Sequence, residues 1–475
     1  MNIATDAGSL VHNRLFDEIR VGDTATGSRT LTTDDLSLFA VVSGNINPRH
    51  LDDEFARETD APGPIAPSLW GATVISAVLG NQLPGPGTAY RSQDLHFERP
   101  VYVGDTLTAS VTVREKRDAD NVVVLDCQGM NQNGEPVLSG VAEVYAPIRR
   151  VSRPRVALPE IQLQRHQKFR RLIARAQELQ PRRTAVAHPC DESALQAVLD
   201  AVREALIVPI LVGPRAKIQR AADQFGADIS AFEIVDVPHS HAAAEEAVAL
   251  VRAGSAELLM KGSLHTDELM AAVVARQTGL RTERRLSHCF LMDVPVLPEL
   301  LIVTDAAVNI APSLEDKVDI AQNAIDLAHA LGIEHPKMAV LSAVETVNPN
   351  IPSTMDAAAL CKMAERGQIT GAIVDGPLAL DNAVNLEAAR VKQIASAVAG
   401  RANILLVPDL DAGNMLAKSL TFLANADAAG IVLGARVPII LTSRADEVAA
   451  KLASCAVAVL VDAARAAEQA GVHAA

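Results

Sequence analysis

Aromatic residues are the scarcest class in this chain, at 3% of 475 residues with a single tryptophan. Hydrophobic residues nevertheless make up 49% of the chain, so the core has to be built from aliphatic side chains. Short continuous runs of Val, Ile and Leu are typical of parallel strands covered by helices on both faces, whereas a β-sandwich favours aromatic residues. The length is too great for one ordinary domain and fits two or three.

Cysteine is also rare, and its spacing excludes several classes of protein. The five cysteines are Cys127, Cys190, Cys289, Cys361 and Cys455. No two of them have CxxC spacing, and an odd number argues against a disulfide framework. We therefore expect reduced thiols, a cytoplasmic location and no bound metal.

Positive charge and long apolar runs are lacking as well. The formal net charge is −14, which excludes a nucleic-acid-binding face as the main function. The first residues show no basic segment followed by an apolar one, so no signal peptide is predicted. Apolar runs such as residues 205–213 are too short to cross a bilayer, so we expect no membrane partner.

Two styles of sequence meet near residue 150. The first part holds short alternating runs such as Leu107–Arg114, which indicate antiparallel strands with one wet face. One longer apolar segment, Ser68–Leu83, follows a proline and has helical length. These features predict a small α+β domain over residues 1–150. Residues 151–165 belong to a basic, proline-containing stretch and are predicted to be a linker.

From residue 166 onwards the pattern alternates between strands and helices, as in an α/β domain. A continuous apolar run over residues 430–441 ends abruptly in T-S-R-A-D, which places Ser443, Arg444 and Asp446 together. The run indicates a strand buried on both faces of a parallel sheet. Ligands bind at the carboxyl ends of such strands, so we expect a site there for an anionic, acyl-bearing substrate.

Six ordered motifs make this part of the chain similar to a known family. They are K-G-S-L-H-T, S-H-C-F-L-M-D-V-P, T-D-A-A-V-N-I-A-P, V-D-G-P-L-A-L-D-N-A-V, P-D-L-D-A-G-N-M-L-A-K and V-P-I-I-L-T-S-R-A-D. Residues 166–470 resemble the phosphate acyltransferases, the phosphotransacetylases and phosphotransbutyrylases. The resemblance implies two α/β/α subdomains with a cleft between them. We assign the first to residues 166–295 and 429–475, and the second to residues 296–428.

The same resemblance implies the chemistry, which is exchange of a short acyl group between coenzyme A and inorganic phosphate without a tightly bound cofactor. Ser443 and Arg444 match the family's Ser-Arg pair. We expect Ser443 to hydrogen-bond the thiol or the carbonyl, and Arg444 to neutralise the phosphate and the oxyanion. The family's carboxylate base lies seven residues after the serine, where this chain has Ala450. Asp446 is the replacement candidate, although Ser443 or Asp446 could instead cap a helix.

Further basic residues are candidates for substrate binding. Arg284 and Arg285 roughly match the position of a phosphate-binding arginine in the family, and the alternative is a solvated basic loop. Lys261 could contact substrate or serve as a local turn partner. Cys289 lies within a predicted strand, so we expect a buried, inert thiol.

The N-terminal part resembles a second family. The motifs S-G-N-I-N-P-R-H-L-D-D-E-F-A and F-E-R-P-V-Y-V-G-D-T are similar to those of MaoC-like R-specific enoyl-CoA hydratases, which have a hotdog fold. In that family an Asp and a His activate water, and a helix N–H polarises the thioester. This chain keeps His50 but has Asn45 at the Asp position, and an amide cannot accept a proton. Pro67 has no N–H at the helix start, though Ser68 could donate one.

These observations predict a phosphate acyltransferase for acetyl or butyryl groups, carrying a hydratase-like domain with weak or absent activity. Two alternatives stay open. The protein is fully bifunctional, or the N-terminal domain is a non-catalytic CoA-binding or oligomerisation module. The expected partners are acyl-CoA, inorganic phosphate and further copies of the chain, as a homodimer or a higher homo-oligomer.

Overall fold

The computed structural model describes residues 10–52, 55–56, 63–154, 156, 167–442 and 447–471. Its contacts divide the chain into two compact units. The first unit is Met1–Leu163 and the second unit is Gln164–Ala475.

The first unit is an antiparallel sheet wrapped around one long helix. Its strands are β1 Leu10–His12, β2 Thr24–Thr30, β3 Ala89–Phe97, β4 Thr106–Arg117, β5 Val122–Met130, β6 Pro136–Tyr145 and β7 Ser152–Pro154. Its helices are α1 Thr33–Ser43, α2 Pro48–Leu51 and α3 Ser68–Asn81, with a short 3-10 turn at Phe16–Glu18. The main sheet has the order β2-β4-β5-β6-β3.

Helix α3 packs on this sheet because one of its faces is entirely apolar. Trp70, Val74, Ile75 and Val78 are buried among residues of the sheet. The expected α+β hotdog domain is confirmed. Strand β7 lies within the stretch predicted as a linker, and it pairs with β1 of the same unit.

The second unit alternates strands and helices, as the sequence predicts. Its strands are β8 Arg182–Ala187, β9 Ile207–Gly213, β10 Glu233–Asp236, β11 Leu258–Lys261, β12 Ser287–Asp293, β13 Leu301–Thr304, β14 Lys337–Leu341, β15 Ile373–Leu378, β16 Ile404–Leu406, β17 Asp427–Leu433 and β18 Ile439–Ile440. Its helices are α4 Gln167–Gln177, α5 Glu192–Arg203, α6 Arg215–Gln224, α7 Ser240–Arg252, α8 Thr266–Val274, α9 Leu314–Ala330, α10 Pro352–Glu365, α11 Leu380–Val384, α12 Leu386–Val391, α13 Leu410–Leu423 and α14 Val448–Gln469.

All eleven strands form one sheet in the order β10-β9-β8-β11-β18-β17-β12-β13-β16-β14-β15. Strands β10, β9, β8, β11 and β18 are mutually parallel, and so are β13, β16, β14 and β15. Three antiparallel pairings, β18 with β17, β17 with β12 and β12 with β13, join the two groups. An odd number of reversals makes the groups run in opposite directions, so their carboxyl ends lie at opposite edges of the sheet.

The expectation of one parallel strand over the apolar run 430–441 is wrong. The run contains two antiparallel strands, β17 and β18, joined through a turn that begins at Gly434 with φ 82°. The turn carries Arg436 and Pro438 but is otherwise apolar, and the residues of β17 and β18 that belong to the run are all buried. Neither strand alternates between apolar and polar residues, so the sequence pattern did not reveal the reversal.

The apolar core is continuous on one face of the sheet and divided on the other. One cluster joins α4, α5, α9, α10 and α14 on the first face. On the second face, one cluster covers the β8–β11 side and a separate one covers the β13–β16 side. This division agrees with the two α/β/α subdomains that the family resemblance implies, while their boundaries stay predictions.

Candidate active site

Three strand ends meet at one edge of the second unit. Lys261, the last residue of β11, is paired with Ala187, the last residue of β8, and β11 also runs parallel to β18. His188, Gly262 and Thr442 therefore leave the sheet at one level. Two inter-strand steps of about 4.8 Å put the backbones of His188 and Thr442 about 10 Å apart. We call these strand ends the β8–β11–β18 edge.

Ser443, Arg444 and Asp446 lie outside the described residues, but both of their flanks are described. Thr442 ends the segment after β18, and Glu447 precedes the first residue of α14. In chain order, the family's Ser-Arg pair comes after Thr442, at the β8–β11–β18 edge, and before the N-terminus of α14. Helix N-termini favour anionic groups because their first N–H groups have no partner within the helix.

The ends of β8 and β11 are held unusually close. A Cβ atom on Gly262 would lie 2.5 Å from the carbonyl oxygen of Ala187, so only glycine fits there. Ser263 then bonds the neighbouring loop, because its N–H and its hydroxyl both donate to the His188 carbonyl, at 2.9 and 2.7 Å. The Cys190 N–H donates to the same Ser263 hydroxyl at 3.1 Å.

His188 is the feature of this edge that sequence reasoning missed. Its φ of 56° is left-handed, a strained conformation for a residue with a bulky side chain. Its ring Nδ1 lies 3.2 Å from the Ser263 hydroxyl oxygen. Partial burial, and then the nearby Lys217 ammonium, lower the pKa of the His188 imidazole below 6.5. The sequence pattern carried no signal for it, because the strand that it predicts, over residues 186–189, includes His188, whereas β8 ends at Ala187.

Lys261 lies at the same edge, where its ammonium bonds the adjoining loop. The side chain is 9% exposed, and Nζ donates to the carbonyl oxygens of Gly262 and Leu264 at 3.3 and 3.2 Å. These bonds fix the K-G-S-L turn. A direct contact between Lys261 and substrate stays a prediction.

A cavity of about 430 Å³ opens beside this edge, between the first turns of α5 and α14. It is lined by Asp191, Glu192, Ser193, Gln196, Ala197, Asp200, Val448, Lys451 and Leu452. Lys451 is 9% exposed, and its ammonium donates to the Ser193 hydroxyl at 2.8 Å. The volume lies in the range of small-molecule sites.

Arg284 and Arg285 are located elsewhere, before the first residue of β12. Arg285 donates from Nε to the Asn309 side chain at 2.8 Å and forms an ion pair with Asp316 at 3.3 Å. Arg284 forms an ion pair with Asp326, and Asp316 and Asp326 both belong to α9. These contacts tie the loop to α9.

The strand register separates these arginines from the Ser-Arg segment. Cys289, Ile431 and Ile440 stand at one level of the sheet. Thr442 is two residues above that level, and Arg285 is four residues below it. At about 3.3 Å per residue, their backbones are about 20 Å apart along the strand direction. The structure therefore does not bring Arg284 and Arg285 to the β8–β11–β18 edge, and phosphate binding by them stays a prediction.

Other family-like motifs follow β14, β15 and β16 and lie at the second edge with the arginines. Asp305, in the T-D-A-A-V-N motif after β13, is 2% exposed and accepts hydrogen bonds from the N–H groups of Ala307, Val308 and Asn309. Burial raises the pKa of its carboxyl despite these bonds. The Asn309 amide also bonds Asp305, and it accepts the Arg285 bond, so this motif stabilises a turn.

The hydratase-like residues of the first unit are only partly brought together. His50 Nδ1 lies 2.9 Å from the Ile65 carbonyl, three residues before Ser68 at the start of α3. Because a carbonyl only accepts, Nδ1 carries the proton and Nε2 is left as the basic nitrogen. The Asn45 amide oxygen instead accepts from the Asn47 N–H at 3.2 Å. Catalytic roles for these residues stay predictions.

In the part of the chain that the structure describes, no three His, Cys, Asp or Glu side chains are grouped so that they could hold a metal ion. No helix in those ranges is long and apolar enough to span a membrane.

Comparisons with known proteins agree with the fold and with the motifs. A family model described as "Phosphate acetyl/butaryl transferase" matches residues 240–459, and a "MaoC like domain" model matches residues 21–128. A phosphate acetyltransferase of Rhizobium meliloti is 64% identical over 302 residues, which cover 64% of this chain and 96% of the relative. A phosphate butyryltransferase of Clostridium acetobutylicum is 43% identical over 293 residues, which cover 62% of this chain and 97% of that relative.

A solved structure shows the same fold for the second unit. It is a branched-chain phosphotransacylase from Enterococcus faecalis V583, with a TM-score of 0.53 and 33% sequence identity, and the match covers 59% of this chain and 98% of that one. The chain belongs to the phosphate acetyl/butyryl transferase family and carries a MaoC-like domain in its N-terminal part.

Proposed function

We propose that the second unit catalyses reversible transfer of a short acyl group between coenzyme A and inorganic phosphate. The observation that carries this proposal is the 64% identity to a phosphate acetyltransferase across 96% of that relative. The β8–β11–β18 edge supports it, because Thr442, the residue before the Ser443-Arg444 pair in the chain, lies at this edge, and a cavity of ligand size opens beside it. The substrates are acyl-CoA and phosphate, and the proposed chemistry uses no bound cofactor.

In the direction of acyl-CoA synthesis, the thiol attacks the carbonyl of an acyl phosphate and phosphate leaves. The guanidinium of Arg444 suits the phosphate and the developing oxyanion, since it donates two parallel hydrogen bonds. Ser443 donates to the thioester carbonyl or orients the sulfur. These roles rest on the family motif and on the position of the segment.

The direct test follows free thiol release from acetyl-CoA in the presence of phosphate. We expect Arg444→Ala to lower kcat by about a hundred- to a thousand-fold, the usual effect of losing one oxyanion donor. Arg444→Lys should restore little, because an ammonium cannot make the bidentate contact. Arg366→Ala is the matched control, since Arg366 is exposed at the end of α10. Full activity in Arg444→Ala would remove the site assignment.

The acyl group is proposed to be acetyl or butyryl, because curated relatives of both kinds match along nearly their whole length. Comparing kcat/KM for acetyl-CoA, butyryl-CoA and hexanoyl-CoA decides between them. One additional methylene in a fitted pocket changes the preference by about ten- to two-hundred-fold. A preference for hexanoyl-CoA would contradict a short-chain site.

For the first unit, we propose a CoA-thioester-binding module with little hydratase activity. His50 keeps a basic Nε2, but the Asn45 amide bonds its own loop and cannot accept a proton. Asn45→Asp should raise hydration of crotonyl-CoA by up to about a hundred- to ten-thousand-fold, the range of general base catalysis. Asn47→Asp is the control, since aspartate still caps α2. A fast wild-type rate would instead favour the bifunctional alternative.

We also propose that the first unit assembles with a second copy of the chain. Val42, Ile46 and Leu69 are 87%, 80% and 60% exposed, around α1 and the start of α3. Exposed apolar side chains such as these are candidates for a self-complementary contact between two copies. Val42→Asp combined with Ile46→Asp should lower the particle mass in analytical ultracentrifugation, whereas Val21→Asp, at an exposed residue of a turn, should not. An unchanged mass in the double variant would contradict the contact.

The proposed location is the cytoplasm. All five cysteines are unpaired in the structure, as expected of a reducing compartment. Cell fractionation with antibodies against the full chain tests this directly.

A further inference from the structure

The cavity between α5 and α14 contains a buried positive charge without a counter-ion. Lys451 is 9% exposed, and its ammonium donates to the neutral hydroxyl of Ser193 at 2.8 Å. Among the residues that the structure describes, no carboxylate forms an ion pair with Lys451. Buried charges are normally paired, because an ammonium that has left water without gaining a partner is costly.

Other largely buried lysines of the second unit do have a counter-ion. Lys317 forms an ion pair with Asp356 at 2.6 Å, and Lys168 forms one with Asp293 at 2.7 Å. Lys451 instead lines a cavity of about 430 Å³. An ammonium carries three hydrogens, and the Ser193 hydroxyl takes only one of them. An anion that enters the cavity therefore supplies the missing counter-ion.

The two helix starts at the cavity also favour an anion. Val448, the first residue of α14, lines the cavity, and the preceding Glu447 makes no side-chain hydrogen bond to the free N–H groups of this helix. Such N–H groups stabilise a negative charge nearby. Ser193, in the first turn of α5, accepts from Lys451 and keeps its own hydroxyl hydrogen for an acceptor.

The remaining lining residues determine which anion fits. Three of them carry a carboxylate, namely Asp191, Glu192 and Asp200, so a dianion such as phosphate or a dicarboxylate is repelled. Three others are apolar, namely Ala197, Val448 and Leu452. A single negative charge on an aliphatic chain meets both conditions, and the volume admits a chain of several carbons.

We propose that this cavity binds an aliphatic monocarboxylate. Its carboxylate accepts hydrogen bonds from the Lys451 ammonium and the Ser193 hydroxyl, and its chain packs against Leu452 and Val448. An acyl phosphate that passes its phosphoryl group to an acceptor leaves a carboxylate of the same chain length, because the bridging oxygen stays on the carbonyl carbon. This source of the ligand rests on the proposed function, whereas the binding itself does not.

A titration of the full chain followed by saturation-transfer NMR measures the binding directly. The Kd should fall by about fourfold for each methylene added from acetate to butyrate and hexanoate. Butyramide, which has no charge, and succinate, which has two, should each bind about tenfold more weakly than butyrate. Equal Kd values for butyrate and butyramide, or for acetate and hexanoate, overturn the proposal.

The key variant is Lys451→Met. The Kd for butyrate should rise by about tenfold or more. The melting temperature of the free protein should not fall, because the variant removes an unpaired buried charge, whereas a lysine that only holds α14 onto α5 would be missed. Lys362→Met, at a lysine that is 63% exposed on α10, is the control and should keep the wild-type Kd. A wild-type Kd in Lys451→Met overturns the proposal.

Val448→Ser covers the case in which Lys451→Met fails to fold, since Val448 is 54% exposed. This variant should keep the Kd for acetate and lose most of the gain from acetate to hexanoate, and a full gain overturns the proposal. Coenzyme A should not displace butyrate, and displacement would place butyrate in the acyl-transfer site instead. A wild type that binds butyrate but shows no phosphate-dependent thiol release refutes the proposed function and retains the carboxylate site.

Discussion

Lys168 is predicted to hold α4 onto the central sheet through one nearly buried ion pair. Its ammonium donates to Asp293 Oδ1 at 2.7 Å and to the Val294 carbonyl at 2.8 Å. The two side chains are only 16% and 9% exposed. Lys168→Met removes the positive charge and leaves the Asp293 carboxylate buried without a partner, since its second oxygen already has no hydrogen bond.

The magnitude follows from this burial. Breaking a buried pair by removing one partner costs about 3–5 kcal/mol of unfolding free energy, because the remaining charge stays desolvated. Asp293→Leu should cost less, about 1–3 kcal/mol, since the lysine keeps its bond to the Val294 carbonyl and can extend towards water. The double variant, Lys168→Met with Asp293→Leu, should lie within about 1 kcal/mol of the wild type.

The assay has to follow the second unit specifically. The single tryptophan, Trp70, lies in the first unit, so its fluorescence does not report on α4. Native-state hydrogen exchange of peptides from α4 and β12 gives the opening free energy directly. The double-mutant cycle then isolates the coupling of the two side chains.

An exposed pair provides the control. Lys362 and Glu365 form an ion pair in which both side chains are 63% exposed. Lys362→Met should therefore change stability by less than about 1 kcal/mol. The burial argument is refuted if Lys168→Met costs no more than Lys362→Met, or if the double variant is as unstable as Lys168→Met.

Three further predictions test other parts of the structure. Gly262→Ala should destabilise the second unit by about 1–3 kcal/mol and lower activity, since the new methyl overlaps the Ala187 carbonyl. Gly80→Ala is the control, because a methyl group there meets no atom within 4 Å. Equal melting temperatures for Gly262→Ala and the wild type would contradict the overlap. Burial lowers the pKa of His288 from 6.5 to about 4. As the pH falls from 6.5 to about 4, the unfolded state therefore binds a proton that the folded state does not, and up to about 3 kcal/mol of unfolding free energy is lost. Urea unfolding of His288→Phe should lack this loss, and an identical pH dependence in the variant and the wild type would exclude His288 as its cause. Burial raises the pKa of the Cys190 thiol to about 11, so mass spectrometry should find slow alkylation of Cys190 at about pH 7.5. Labelling as fast as that of a free thiol would contradict the burial of this side chain.

The sequence predicted most elements of the second unit because its buried strands are short apolar runs bounded by polar residues. It also identified the family, since the motifs are contiguous and need no knowledge of the fold. Cys289 is buried, as expected, and burial raises the pKa of its thiol to about 12. The strands β10 and β18 were not predicted, because one carries charged residues and the other is two residues long.

Other features of the site were beyond sequence reasoning. Arg284 and Arg285 fall in a loop with the composition of a phosphate site, but strand register carries them to the other edge and pairs them with α9. His188 is an isolated histidine in the sequence, and its partner Ser263 is 75 residues away. Composition and periodicity do not contain contacts of that separation.

The sequence by itself determined the local chemistry of this protein. It indicated most of the strands and helices of the second unit, which motifs carry hydroxyl and guanidinium groups, and which family the chain resembles. Only the tertiary structure decided which strand ends share an edge, because the direction of each strand depends on pairings between residues far apart in the chain. The parallel pairings of β8, β11 and β18 set His188 and Thr442 at one level of the sheet, and the register of β12 with β17 and of β17 with β18 places Arg285 at the opposite edge.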